Sequence, residues 1–214
     1  MEDLLASARL PRLILIGDGF TVEKRRNAIL KASEHVPWVH LRDHNASDEA
    51  FKKHAAELAD QIREVSPDAM ISVNGRLAVA TALDAGFHGG AEGASIADAR
   101  KKLGPEPVIG FSAHYLTEAQ AAVADGAEYV FFSPIFASPS KPGFVGVGIN
   151  ELREFCERIG DEVPVYALGG VTPERVASCL DAGAHGVAVL SGILLEDDVA
   201  AAAESYMDAL QKVA

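Results

Sequence analysis

Short apolar runs alternate with longer segments of helical pattern along the whole chain. Alternation of this kind is typical of parallel strands joined by crossover helices. Because eight such runs can be counted, the sequence predicts an α/β fold, a single TIM-type (β/α)8 barrel that forms one domain over residues 1–214. The predicted strands are Leu13–Ile16, Trp38–Leu41, Met70–Val73, Phe87–His88, Val108–Phe111, Tyr129–Phe132, Val165–Leu168 and Val187–Leu190.

Capping residues mark where several of the intervening helices begin. Ser47, Ser95 and Thr117 each precede a helical segment with an acidic residue in its first turn. A side-chain oxygen at such a position accepts a hydrogen bond from a free backbone N–H group of that turn. We predict a further start at Thr172, because Pro173 suits the first helical position.

Two of the predicted strands break into glycine-containing turns that each open a helix. Gly169-Gly170 follows the seventh strand, and Ser191-Gly192 follows the eighth. A residue without Cβ lets backbone N–H groups close around an anion, and the start of the next helix adds unsatisfied donors and a positive dipole end. Eight-fold barrels frequently bind phosphate in these two loops. We therefore predict that Gly169, Gly170, Ser191 and Gly192 bind a phosphate group.

The second strand places polar side chains at the mouth of the predicted barrel. Trp38, His40 and Arg42 share one face by period-two alternation, and His44 follows in the loop. Because the opposite, apolar face must meet the helices, this polar face is expected to point into the barrel. Arg42 is a candidate to bind an anionic part of a ligand or to form an ion pair. His40 and His44 are candidate acid–base groups, although a histidine that lines a barrel can equally be a hydrogen-bonded core residue.

Further polar residues follow the third, fifth and sixth strands. Asn74 is placed to contact a ligand or to cap the next helix, and Ser112 and His114 lie on one side if the fifth strand stays extended. Ser112 is not predicted to be a nucleophile, since no His–Asp arrangement accompanies it. The irregular stretch 133–148 adds two hydroxyls and an ammonium group at the mouth. The candidate substrate-binding residues of this group are Asn74, Ser112, Ser138, Ser140 and Lys141.

The charge of the chain limits the class of partner. A formal net charge of −12 and a pI near 5.0 disfavour nucleic acid and acidic membranes, because binding either needs clustered Lys and Arg. The expected partner is a small phosphorylated ligand, and a homo-oligomer is possible. Cys156 and Cys179 fall in helical patterns without metal-like spacing, and no apolar run approaches the ~20 residues of a membrane span. We therefore expect a cytoplasmic protein with reduced cysteines and no zinc site.

Six blocks of sequence resemble the thiamine-phosphate synthase/TenI superfamily, from the first strand to the last helix. The resemblance implies that the Gly-Gly and Ser-Gly loops hold the phosphate of hydroxyethylthiazole phosphate, in agreement with the phosphate site predicted above. In that superfamily the synthase joins this thiazole phosphate to a pyrimidine diphosphate, and Mg²⁺ stabilises the diphosphate as it leaves. The blocks are His40–His44, Val73–Arg76, Gly110–His114, Pro134–Lys141, Ala167–Pro173 and Ala188–Gly192.

The resemblance is incomplete at the positions that carry the synthase chemistry. Where the synthase pattern has Gln-x-Arg-x-Lys, residues 40–44 keep only Arg42. The two metal-binding aspartates of the pattern are replaced at Gly75 and within residues 88–93. Departure of a diphosphate without this charge stabilisation is slow, since every ~1.4 kcal/mol is tenfold in rate. The departures from the pattern therefore argue against magnesium-dependent transfer.

The compact lip after the sixth strand looks more like the TenI branch, whose activity is the metal-free tautomerisation of thiazole carboxylate phosphate. The histidine of the TenI pattern is absent too, because Ser133-Pro134 stands in its place. The sequence therefore predicts a TenI-like thiazole tautomerase without a cofactor, in which the proton is moved by one of three histidines, His44, His40 or His114. Two alternatives stay open. One is a diverged synthase that holds Mg²⁺ with Glu92 and substrate oxygens, and the other is a paralogue that binds thiazole phosphate without catalysis.

Overall fold

Eight parallel strands close into a barrel in chain order. The structure is a computed structural model that describes residues 10–138 and 143–213. The strands are β1 (Leu13–Asp18), β2 (Trp38–Arg42), β3 (Met70–Asn74), β4 (Gly86–Gly89), β5 (Ile109–Ala113), β6 (Tyr129–Phe132), β7 (Val165–Leu168) and β8 (Gly186–Val189). Each strand pairs with the next, and β1 pairs with β8 to complete the circle. The prediction of a TIM-type barrel is confirmed.

Helices cover the outside of the barrel. They are α1 (Glu23–Ser33), α2 (Asp48–Val65), α3 (Leu77–Leu83), α4 (Ile96–Leu103), α5 (Leu116–Ala124), α6 (Ile149–Ile159), α7 (Pro173–Asp181), the single turn α8 (Ser191–Leu194) and α9 (Val199–Gln211). Among these helices, none is long and apolar enough to cross a membrane.

Side chains alternate between the two faces of every strand, and each face has its own core. On β2, Val39 and Leu41 belong to the large apolar layer between the strands and the helices. Trp38 and His40 point the other way and are buried inside the barrel, as the period-two pattern predicts. The interior is filled mainly by aromatic rings: Trp38 lies edge-on to Tyr129 and Tyr166, with ring centroids 4.8 and 6.0 Å apart. The interior of the barrel around Trp38 is thus a packed core and not a pore.

The predicted boundaries agree closely with the structure, with two kinds of difference. β6 and β7 have the predicted bounds, whereas β4 extends by one residue at each end and β8 lies one residue earlier. Ser47 and Ser95 are helix caps, each accepting a hydrogen bond from a first-turn N–H group. The start predicted at Thr117 is wrong, because α5 already begins at Leu116. The Glu118 carboxylate accepts the backbone N–H groups of the residues before the helix and so moves its start forward.

Candidate active site

A cavity of about 440 Å³ opens at the carboxyl ends of the strands. Its wall is made by the loops that follow the strands, which is where enzymes of this architecture place their chemistry. Of the predicted site residues, those that line the cavity are Arg42, His44, Asn74, Ser112, His114, Ser138, Gly169, Gly170, Ser191 and Gly192. Ser140 and Lys141 lie outside the described residues. The fold therefore gathers most of the predicted set around one space.

The two glycine loops lie side by side on one wall, and we call Gly169-Gly170 with Ser191-Gly192 the phosphate cup. Gly169 and Gly170 have φ values of +100° and +62°, a region that favours glycine. The loop after β6 supports this turn, because the backbone N–H of Phe136 donates to the Gly169 carbonyl oxygen at 2.9 Å. Ser191 begins the short turn α8 directly after β8. The cup thus presents backbone groups to the cavity from two adjacent loops.

Two side chains from the outer helices brace the cup from behind. The Tyr206 hydroxyl of α9 donates to the Val171 carbonyl oxygen at 2.8 Å, and a Cβ on Gly192 would overlap that hydroxyl. Arg175 of α7 donates to the Gly170 carbonyl oxygen at 2.6 Å and stacks over the Phe136 ring, 4.4 Å from its centroid. Because Tyr206 touches both loops at once, it sets the spacing between them.

Replacing Tyr206 by phenylalanine is expected to weaken phosphate binding about fivefold. The change keeps the ring but leaves the buried Val171 carbonyl without its donor, which typically costs about 1–3 kcal/mol. Part of that free energy is expected to appear as weaker phosphate binding, because the two loops of the cup are then less well aligned. Isothermal titration with inorganic phosphate measures the effect, and Tyr115→Phe, at a residue that is 69% exposed, is the matched control. A lower melting temperature with unchanged affinity would reduce Tyr206 to a structural role.

An ion pair joins the ends of β1 and β2, and β1 is the neighbour of β8 in the closed barrel. Arg42 at the end of β2 donates through Nε to Asp18 Oδ1 of β1 at 2.9 Å, and the strand register places these residues side by side. Its side chain is 26% exposed, so it is still accessible to a ligand. Burial first, and the positive charge of Arg42 second, lower the pKa of the neighbouring His44. Arg42 therefore forms an ion pair and also lines the cavity, and its contact with an anionic ligand stays a prediction.

His40 lies beneath the floor of the cavity. His40 is 1% exposed, and its Nδ1 lies 2.9 Å from the Ser72 hydroxyl, which also accepts the Trp38 indole N–H at 2.9 Å. Burial, helped by Arg42, lowers the pKa of His40 to about 3. His40 is not among the described residues that line the cavity. The structure therefore favours the core role for His40, while His44 and His114 lie at the cavity itself.

Sequence reasoning missed one residue of this site. His88 lines the cavity floor, although it is 0% exposed. The inward position of His88 could have been read from Phe87, whose apolar side chain must face the helices. Glu92, the candidate magnesium ligand of the synthase alternative, also lines the cavity, after β4.

A closed (β/α)8 barrel with a glycine cup and an arginine at the same mouth is the architecture of the barrel enzymes that act on small phosphorylated substrates. The chain belongs to the thiamine monophosphate synthase family, whose sequence model matches residues 16–193. Thiamine-phosphate synthase of Chloroflexus aurantiacus is 36% identical over 197 residues, which cover 90% of this chain and 89% of that protein. Thiamine-phosphate synthase of Methanoculleus marisnigri is 42% identical over 151 residues, covering 69% and 71%. The solved structure of thiamine phosphate pyrophosphorylase from Pyrococcus furiosus has a TM-score of 0.80 at 27% identity, covering 94% of this chain and 96% of that one.

These relatives correct the functional prediction. The expectation of a thiazole tautomerase is wrong, because relatives that are 36% and 42% identical are thiamine-phosphate synthases. The superfamily itself was predicted correctly. The error arose from giving the replaced positions of the synthase pattern more weight than the similarity of the whole chain.

Proposed function

We propose that this chain is a transferase of the thiamine-phosphate synthase type, which moves a pyrimidine group from its diphosphate to thiazole phosphate. The observation that carries the proposal is the 36% identity to a synthase across 90% of the chain, together with a cup of four residues that lines the same cavity as Arg42. In this transfer the bond from the pyrimidine-bearing carbon to the diphosphate breaks, a bond to the thiazole phosphate forms, and diphosphate is released.

Two groups of residues around the cavity would each bind one of the two substrates. The phosphate cup would bind the thiazole phosphate through backbone N–H groups, which require no side-chain charge. Arg42 would face the diphosphate, where a fixed cation stabilises the negative charge that develops on the leaving group. Asp18 holds the Arg42 guanidinium in place through Nε at 2.9 Å and leaves its terminal nitrogens for the ligand. Holding both substrates in one cavity makes the transfer effectively intramolecular.

The family implies a magnesium ion. The oxygen donors at the mouth of the barrel fit this ion only if the diphosphate supplies further ligands. Within residues 10–138 and 143–213, no group of three or more His, Cys, Asp or Glu side chains is placed to hold a metal. Glu92 is the one carboxylate among the described cavity-lining residues, and the Asn74 amide adds a second hard oxygen. Mg²⁺ is commonly bound by one or two carboxylates plus substrate phosphates. Glu92 and Asn74 would therefore hold the ion, which would supply charge neutralisation at the diphosphate.

A direct assay tests the proposal. Purified protein is given thiazole phosphate, pyrimidine diphosphate and Mg²⁺, and thiamine phosphate is measured by chromatography after oxidation to a fluorescent product. We expect product that requires both substrates, and Arg42→Met is expected to lower kcat/KM about 100-fold, as removal of a preorganised charge typically does. Lys212→Met, at the end of α9, is the matched charge-removing control. Absence of product with ample Mg²⁺ would reject the proposal.

Glu92→Gln is expected to raise the Mg²⁺ concentration that gives half-maximal rate about tenfold. The change removes the one carboxylate that the described cavity offers while keeping the size and an oxygen donor. A tenfold shift corresponds to about 1.4 kcal/mol of binding free energy. The measurement is a magnesium titration at saturating substrates. Glu196→Gln, outside the cavity, serves as the control, and superimposable titrations of the wild type and Glu92→Gln would show that Glu92 does not hold the ion.

A second candidate is a barrel that binds thiazole phosphate without turnover. The observation in its favour is that Gly75 and His44 stand where the synthase pattern has an aspartate and a lysine, while the cup is intact. Thermal stabilisation by thiazole phosphate, with no product in the assay above, would support this second function.

We further propose that the protein acts in the cytoplasm on small phosphorylated ligands. Cys156 and Cys179 are free and buried and form no disulfide, which suits a reducing compartment. Homo-oligomer formation stays a prediction.

A further inference from the structure

Three side chains form a hydrogen-bonded line from the packed interior of the barrel to the cavity floor. Tyr129 Oη lies 2.9 Å from His88 Nδ1, and His88 Nε2 lies 2.8 Å from Ser112 Oγ. Tyr129 and His88 are both 0% exposed, whereas Ser112 is half-buried and lines the cavity. The line connects β6, β4 and β5, so its members come from three separate parts of the sequence. Only its last member can touch a ligand directly through its hydroxyl.

The surroundings of His88 keep its imidazole neutral. The ring packs against Phe131 and His40, with centroids 4.2 and 4.9 Å away. Burial, and then the proximity of His40, hold the pKa of His88 well below its ordinary value. A neutral imidazole has one N–H donor and one lone pair, so the two hydrogen bonds of His88 must run in the same direction along the line. Either Tyr129 donates to His88 and His88 donates to Ser112, or both bonds are reversed.

The chemistry of the three groups selects the first arrangement. A phenol is a more acidic donor than an aliphatic hydroxyl, and an imidazole lone pair is a better acceptor than a phenolic oxygen. Burial raises the pKa of Tyr129, so its proton stays on the phenol and is available to donate. With Tyr129 donating to Nδ1, the Nε2–H group of His88 donates to Ser112 Oγ. The Ser112 hydroxyl proton is then free to point into the cavity.

We propose that Tyr129 and His88 are positioning residues that fix the Ser112 hydroxyl as a hydrogen-bond donor to an acceptor oxygen of the phosphorylated substrates. The identity of the ligand in this proposal rests on the proposed function, whereas the direction of the hydrogen bonds does not. In the opposite arrangement Ser112 would donate inward to His88 and present only lone pairs, which repel phosphate oxygens. The buried line thus makes the floor of the cavity complementary to an anion without placing a charge there.

The first test reads the tautomer of His88 directly. Heteronuclear NMR of the imidazole nitrogens in the full chain is expected to show His88 with a protonated Nε2 and an unprotonated Nδ1, with the resonance assigned by its loss in His88→Gln. This result is expected in the ligand-free protein, whatever reaction it catalyses. A protonated Nδ1 in the wild type would overturn the proposal even if the transferase assay succeeds.

The second test measures coupling between Tyr129 and Ser112. Tyr129→Phe is expected to lower kcat/KM for thiamine phosphate formation about fivefold in the wild-type background, which matches loss of one hydrogen bond. In the Ser112→Ala background the same change is expected to have no further effect. If the protein shows no turnover, affinity for inorganic diphosphate replaces kcat/KM. Tyr166→Phe is the matched control, because its buried hydroxyl donates to the Pro11 carbonyl at 2.6 Å and not to a histidine. Additive effects of Tyr129→Phe and Ser112→Ala, or equal coupling for Tyr166→Phe, would contradict the positioning role.

Discussion

Acidification from neutral pH to about pH 4.5 is expected to lower the free energy of unfolding by about 3 kcal/mol through His40 alone. Burial lowers the pKa of His40 from 6.5 to about 3, so the imidazole stays neutral in the folded state while the unfolded chain takes up a proton. The unfolded state binds more protons, and stability therefore falls as the pH drops below 6.5. His88, whose pKa burial also holds well below 6.5, adds a loss of the same sign.

Urea unfolding between pH 7 and pH 4.5 measures this dependence. His40→Gln is expected to be less stable at neutral pH but to lose less stability on acidification, because one of the titrating groups is gone. Gln120→Asn, which changes an exposed and uncharged side chain of α5, is the control and should keep the wild-type pH dependence. If His40→Gln and the wild type lost stability in parallel, the buried imidazole would not be the cause.

Replacing Gly170 by alanine is expected to weaken binding of thiazole phosphate at least about 100-fold, which corresponds to about 2.7 kcal/mol. Gly170 has a φ of +62°, and a Cβ there would overlap the Ala137 carbonyl oxygen and lie 2.8 Å from Phe136 Cβ. The Ala137 group belongs to the backbone and cannot rotate away. The turn must therefore open, and its N–H groups lose their common direction.

Titration calorimetry with thiazole phosphate measures the loss, and Gly126→Ala supplies the control. Gly126 also has a positive φ, +101°, but a Cβ there meets nothing within 4 Å, and the residue lies at the end of α5 away from the cavity. It should lose stability through backbone strain alone and keep its affinity for the ligand. Equal losses of affinity in the two variants would show that the position of Gly170 in the cup is not what matters.

Local sequence patterns predicted the barrel and the two glycine turns because both depend on local rules. The β strands follow from short apolar runs, and Gly169-Gly170 and Ser191-Gly192 follow from the need for a turn without Cβ after a buried strand. The contacts beneath the cavity do not follow from such rules. His88 meets Ser112 and Trp38 meets Ser72 only after the chain has folded consecutive strands side by side, across 24 and 34 residues of sequence. Pattern alone therefore could not separate His40, a core residue, from His44 at the cavity.

The choice between tautomerase and synthase failed for a different reason. The sequence argument depended on a few replaced side chains, namely Gly75, His44 and the residues after His88. Their chemical role depends on what the substrates themselves contribute, since a diphosphate brings its own oxygens to a metal ion. The absence of metal-binding side chains at these positions consequently does not exclude magnesium-dependent transfer.

The contact of Tyr206 with the cup also determines when, during synthesis of the protein, the ligand site is completed. Tyr206 belongs to α9, the last described helix, yet its hydroxyl holds the Val171 carbonyl and lies against Gly192. A nascent chain that has emerged from the ribosome only as far as β8 would possess both glycine loops but not the side chain that spaces them. Ligand is therefore expected to bind such shorter chains more weakly than chains whose translation has passed α9.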